Sequence, residues 1–103
     1  MSQVNYFPDW HEKILYNLNG PQPSILMADE KVKILMAGLE PGQKIPAHAE
    51  GASLYHFLAG SGRMSVDGQS YDVSSGTTLI MPAGSVRGLE AIERLAFLAV
   101  RIA

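Results

Sequence analysis

The sequence has no cysteine, which excludes a disulfide framework, a thiolate metal site and a cysteine nucleophile together. It has no run of about 18 apolar residues, the length a membrane-spanning helix requires. Its first ten residues, MSQVNYFPDW, carry neither a basic start nor an apolar stretch and do not read as a secretory signal. Charge is sparse and dispersed. Only 17% of residues are charged, the formal net charge is −2, and the eight Lys and Arg residues lie scattered between Lys13 and Arg101. No basic patch is offered to nucleic acid or to an anionic membrane. Internal repeats and low-complexity tracts are also missing. These absences lead to the expectation of a soluble, cytoplasmic protein with no nucleic-acid or membrane partner.

What is present suits one folded domain. The chain has 103 residues, 47% of them hydrophobic, and a chain of that length buries roughly two-thirds of its unfolded surface. Glycine punctuates the second half at positions 42, 51, 60, 62, 68, 76, 84 and 88, with Pro41, Pro46 and Pro82 among them. Short runs rich in apolar and β-branched residues lie between, which is the signature of a sandwich or barrel of short strands. Strands are expected at 24–28, 31–39, 44–48, 53–58, 77–81 and 94–102. The last, containing LAFLAVRI, is apolar almost throughout and reads as a central strand covered on both faces. Residues 63–73, RMSVDGQSYDV, read as a hairpin on a type I′ Asp67-Gly68 turn. That turn pairs Val66 with Gln69, Met64 with Tyr71 and Arg63 with Asp72, and assigns Met64, Val66 and Tyr71 to the core. Residues 9–18 are the helix candidate, with Asp9 as cap and Glu12 closing a capping box; an extended arm is the alternative.

Two spaced motifs follow. Gly42 is followed by five residues and then His48, Ala49 and Glu50, with Gly60 and Gly62 beyond. Gly76 is followed by five residues and then Pro82, Ala83 and Gly84, with Arg87 three positions on. Over residues 41–88 this skeleton resembles the cupins, a family of small jelly-roll barrels. Their first motif runs Gly, five residues, His-x-His, three or four residues, Glu, six residues, Gly. Their second runs Gly, five residues, Pro-x-Gly, two residues, His. The resemblance implies an all-β fold, a jelly-roll barrel of two antiparallel sheets, with residues 1–23 as an arm or short helix and 24–103 as the barrel. It also implies a homodimer.

In metal-binding cupins three His and one Glu hold a divalent metal inside the barrel. Carried over position by position, only His48 is kept. Glu50 stands at the second His position, and the Glu position falls on Ser53 counted from Gly60, or on Leu54 or Tyr55 counted from His48. Arg87 occupies the third His position, and a guanidinium has no lone pair to give a metal. His48 and Glu50, two apart on a strand, share a face. His56 reads as pointing outward, and His11 as a surface residue. Tyr55 and Phe57 read as interior, with Met36 and Met81. The serines have no nucleophile motif around them, and no catalytic residue is assigned.

Three readings stand open. In the first, the barrel binds a small organic or anionic ligand, with His48, Glu50, Ser53, Tyr55 and Arg87 as candidate contacts, no metal or other cofactor, and Arg87 recognising a carboxylate or phosphate. In the second, His48 and Glu50 are the first ligands of a divalent transition metal in an enzyme of dioxygenase, isomerase or decarboxylase type. In the third, a dimeric barrel with a filled interior serves structure alone, and Arg87 pairs internally with Glu50.

Overall fold

The computed structural model describes residues 4–102; Met1, Ser2, Gln3 and Ala103, at the outer ends of the two expected segments, lie outside the described residues. After a single 3-10 turn at Trp10–Lys13 come nine strands: β1 (Ser24–Ala28), β2 (Val32–Leu39), β3 (Lys44–Ala49), β4 (Ser53–Ala59), β5 (Ser61–Val66), β6 (Gln69–Ser74), β7 (Thr78–Met81), β8 (Val86–Ala91) and β9 (Leu95–Ile102). They form a five-stranded sheet in the order β1-β2-β9-β4-β7 and a four-stranded sheet in the order β3-β8-β5-β6. Neighbours are antiparallel throughout. This is the expected jelly roll of two sheets, and no helix among the described residues is long and apolar enough to cross a membrane.

The inward faces follow the two-residue period of a strand. Along β4, Ser53, Tyr55 and Phe57 are buried while Leu54, His56 and Leu58 between them are only half-buried. β9 is central, between β2 and β4, as expected. Its Leu95, Phe97 and Ala99 enter a core completed by Leu39, Phe57, Met64, Val73 and Met81. Burying each large side chain of that set contributes about 1.5–3 kcal/mol. Gly60 at the β4–β5 corner admits no other residue: its φ is +86°, and a Cβ there would lie 1.8 Å from the Arg94 carbonyl oxygen.

The β5–β6 hairpin has the expected register, Val66 against Gln69 and Met64 against Tyr71. Asp67 and Gly68 both take positive φ, 49° and 86°, as a type I′ turn requires. Tyr71, expected in the core, is instead 39% exposed. It lies on edge strand β6, where only Val73 is covered, and its hydroxyl donates to Gln69 Oε1 at 2.8 Å. β8 was not anticipated: Gly88 interrupts VRGLEA, and the strand is held by its ladders to β3 and β5.

The helix expected over 9–18 contracts to one 3-10 turn, capped by Asp9 through His11 N–H. The reason is packing. Beyond the turn, Ile14 and Tyr16 lie on the outer face of the five-stranded sheet with Met36 and Ala96, and Gly38 leaves the space that Tyr16 fills: a Cβ there would meet Tyr16 Cε1 at 2.7 Å. Met36, expected inside the barrel, therefore belongs to this outer cluster. The arm is pinned beside the Leu39–Leu95 end of β2 and β9. Gln43 Nε2 donates to the Asn17 carbonyl at 2.6 Å, and Arg94 grips Glu40 with two bonds of 2.7 and 3.1 Å while its guanidinium lies 4.4 Å from the centre of the Tyr16 ring.

Candidate functional site

The register of the strands assembles the site at one end of the barrel. β3 and β8 place His48 opposite Arg87, and β4 and β9 place Ser53 opposite Arg101. Pro46 has no N–H to give to a ladder, and the β3–β8 register shifts between Ile45 and His48. His48 then sits with Nδ1 2.8 Å from the Pro46 carbonyl oxygen and Nε2 3.2 Å from Glu50 Oε2. Both ring nitrogens thus face acceptors, although the contact to Glu50 is not aligned as a hydrogen bond.

Glu50 is the hub. Its carboxylate receives Arg101 Nη2 on Oε1 at 2.8 Å and faces His48 through Oε2. Its main-chain oxygen accepts from Gly84 N–H at 2.8 Å and from Arg87 Nη2 at 3.3 Å. The expected pairing of Arg87 with Glu50 is therefore made to the backbone, while Arg101 holds the carboxylate.

Arg87 is 1% exposed, the largest fully buried side chain of the described residues. Its Nε donates to the Ser85 carbonyl, and its Nη2 faces Ser85 Oγ at 2.7 Å and the carbonyls of Pro82 and Glu50 at 3.3 Å. The Ser85 hydroxyl donates in turn to the Pro82 carbonyl at 2.8 Å. Nη1 has no partner, and no carboxylate among the described residues lies within ion-pair distance of this guanidinium. Carbonyl dipoles satisfy part of its hydrogen bonding but supply no counter-charge.

Tyr55 completes the inner wall, stacked on Phe97 with ring centres 5.1 Å apart. Burial, and secondarily the Glu50 carboxylate, raises its phenol above the usual tyrosine range against the opposing pull of Arg101 and Arg87. The hydroxyl therefore stays protonated at neutral pH and able to donate. A cavity of about 120 Å³ opens beside these groups. His48, Glu50 and Arg101 form its polar end, Leu35, Ala37, Ile45 and Phe97 its apolar wall, and Pro21 and Pro23 bound it from the arm. Ser53, whose hydroxyl donates to the Gly51 carbonyl, and Arg87 are buried and do not line it. His56 points outward, with Nδ1 2.6 Å from Thr78 Oγ1, and His11 stacks on Trp10. A larger hollow of about 320 Å³ on the four-stranded sheet is bordered by exposed Lys44 and Arg63 and half-buried Glu90 and gathers no comparable set of buried polar groups.

Arg101 is the residue the sequence reading passed over. The signal was there: from Phe97, the two-residue period runs through Ala99 to Arg101 and aims it inward. The residues present do not fit the metal held by other barrels of this kind. His48 and Glu50 are the available donors, a guanidinium replaces the third His, and no group of three His, Cys, Asp or Glu suited to a metal occurs among the described residues.

The profile of the cupin domain family matches residues 35–101. Among solved structures, a conserved protein of unknown function from Streptococcus pyogenes is 24% identical with a TM-score of 0.86, over 98% of this chain and 90% of that one. A protein with a double-stranded β-helix domain from Klebsiella pneumoniae is 20% identical with a TM-score of 0.86, also over 98% and 90%. An RmlC-like cupin from Desulfovibrio desulfuricans is 21% identical with a TM-score of 0.79, over 100% and 96%. At these identities the likeness carries the fold alone. No curated protein matches the sequence.

The hub role of Glu50 sets a stability expectation. Glu50→Gln removes the one carboxylate facing Arg101 and His48, and should cost on the order of 2 kcal/mol in urea unfolding, less than a fully buried pair because Arg101 keeps contact with water. Unchanged stability would show that the carboxylate does not hold this end together.

Proposed function

The chain belongs to the cupin family, and we propose that it uses its barrel to bind a small organic anion at the mouth, with Arg101, His48 and Glu50 on the cavity and Arg87 behind them. The observation that carries this reading is the charge count. Arg101 pairs with the Glu50 carboxylate, whereas the more deeply buried Arg87 reaches only the Glu50 backbone and faces no carboxylate among the described residues. A buried cation without a counter-ion is costly, and a bound anion offsets that cost. Arg101, one-third exposed, is the group an entering anion meets. Its planar fork suits a carboxylate better than an ammonium would. The protonated Tyr55 hydroxyl offers a further donor beside it. The geometry supports binding and orientation, and no side chain is assigned a catalytic step.

Small carboxylates at millimolar concentration should raise the melting temperature of the wild type by several degrees relative to sodium chloride at equal ionic strength, following the linkage of ligand to stability. Arg101→Met should abolish the rise. A wild-type melting temperature indifferent to every small acid and to phosphate would overturn the reading.

The homodimer implied by the family is supported by the outer face of the five-stranded sheet. Ile34, Val100, Leu54 and Ile80 stand opposite one another on β2, β9, β4 and β7, forming an apolar row where a sheet with one solvated face would carry polar residues. Ile80 is 76% exposed. Sedimentation equilibrium at micromolar concentration should give twice the chain mass of 11.1 kDa, and Ile80→Asp should return it to the monomer. A wild type that sediments as a monomer would remove the proposal.

A further inference from the structure

We infer that the ligand is a short aliphatic monocarboxylate, of about three to five carbons, held with its carboxylate on Arg101 and its chain against Leu35, Ala37 and Phe97; the inference rests on the anion reading above and narrows it to one chemical class. Size comes first. The cavity of about 120 Å³ is well below the roughly 300–1,000 Å³ of pockets that receive drug-sized ligands. The second constraint is the separation of polarity within it. Its polar groups, His48, Glu50 and Arg101, sit together at one end. The opposite wall is made of side chains that belong to the hydrophobic core: Leu35, Ala37 and Phe97 are 6%, 3% and 1% exposed.

The third constraint is the boundary formed by the arm. Pro21 and Pro23 have no N–H to donate, so they add apolar surface and no second anion site. The chain leading to them is fastened by Gln43, which donates to the Asn17 carbonyl at 2.6 Å and accepts from Glu40 N–H at 2.8 Å. An occupant must therefore carry one charged head and a compact apolar body. A dicarboxylate would place its second charge against Leu35 and Phe97 without a partner, and phosphate would leave the apolar wall unfilled. Ala37 sets the depth: its small side chain, on the inward face of β2, leaves space that a larger residue would occupy.

Isothermal titration of the wild type with the sodium salts of formate, acetate, propionate, butyrate, pentanoate and octanoate, and with succinate and phosphate, tests this at constant ionic strength. Affinity should rise about fourfold per methylene to a maximum between propionate and pentanoate. Octanoate, succinate and phosphate should each bind at least tenfold more weakly than that maximum. Ala37→Leu, once its melting curve shows it folded, should move the maximum to acetate. A flat series, phosphate binding as well as butyrate, or affinity still climbing at octanoate would each overturn the short-chain assignment while leaving the anion reading in place. No binding of any anion, with no thermal shift, would overturn both.

Discussion

The guanidinium of Arg87 is the constraint around which this end of the barrel is arranged. It is sealed from water and tied to the carbonyls of Glu50, Pro82 and Ser85. Those contacts join the end of β3, the 82–85 turn and the start of β8. Gly84 donates to the same Glu50 carbonyl, so the turn and the cation fix one backbone position between them. With that position set, the Glu50 carboxylate projects between Arg101 and His48. The polar end of the cavity follows from it.

The electrostatic consequence is a sequence of charges. The buried Arg87 lies innermost, and the Glu50 carboxylate, Arg101 and His48 face the cavity. The innermost positive charge here is a covalently attached one, the guanidinium of Arg87. An attached guanidinium differs from an ion in two physical respects. It cannot be exchanged, and it offers no open coordination position to a substrate. It holds instead the backbone of Glu50, through the bond to that residue's carbonyl.

Much of the fold was legible because it is written in local pattern. The Asp67-Gly68 turn and its flanking alternation set the β5–β6 register, and the Gly42, Gly60, Gly76, Pro82 and Gly84 skeleton marked the corners. What escaped depends on tertiary contact. β8 has a glycine at its centre and only Val86, Leu89 and the small Ala91 as apolar residues, so its identity comes from the ladders on either side. The arm has helix-forming residues and a cap, yet Ile14 and Tyr16 gain more by lying on Met36, Ala96 and Gly38 than by continuing a helix. Tyr71 follows the inward period but stands on an edge strand that is covered only at Val73. Within the site, the positions of His48, Glu50 and Arg87 could be read from motif spacing. The identity of Glu50's ionic partner could not, because Arg101 comes from the far end of the chain and only the β4–β9 register brings it to Ser53.

The measurement that tests the central claim most directly is NMR observation of the guanidinium protons of Arg87 in the wild-type protein. A sealed, carbonyl-bound guanidinium should show separate Nε and Nη proton signals that exchange with water roughly a hundredfold more slowly than those of the exposed Arg63 and Arg94. A single averaged signal exchanging as fast as the exposed arginines would mean that Arg87 is not the fixed internal cation on which the barrel end depends.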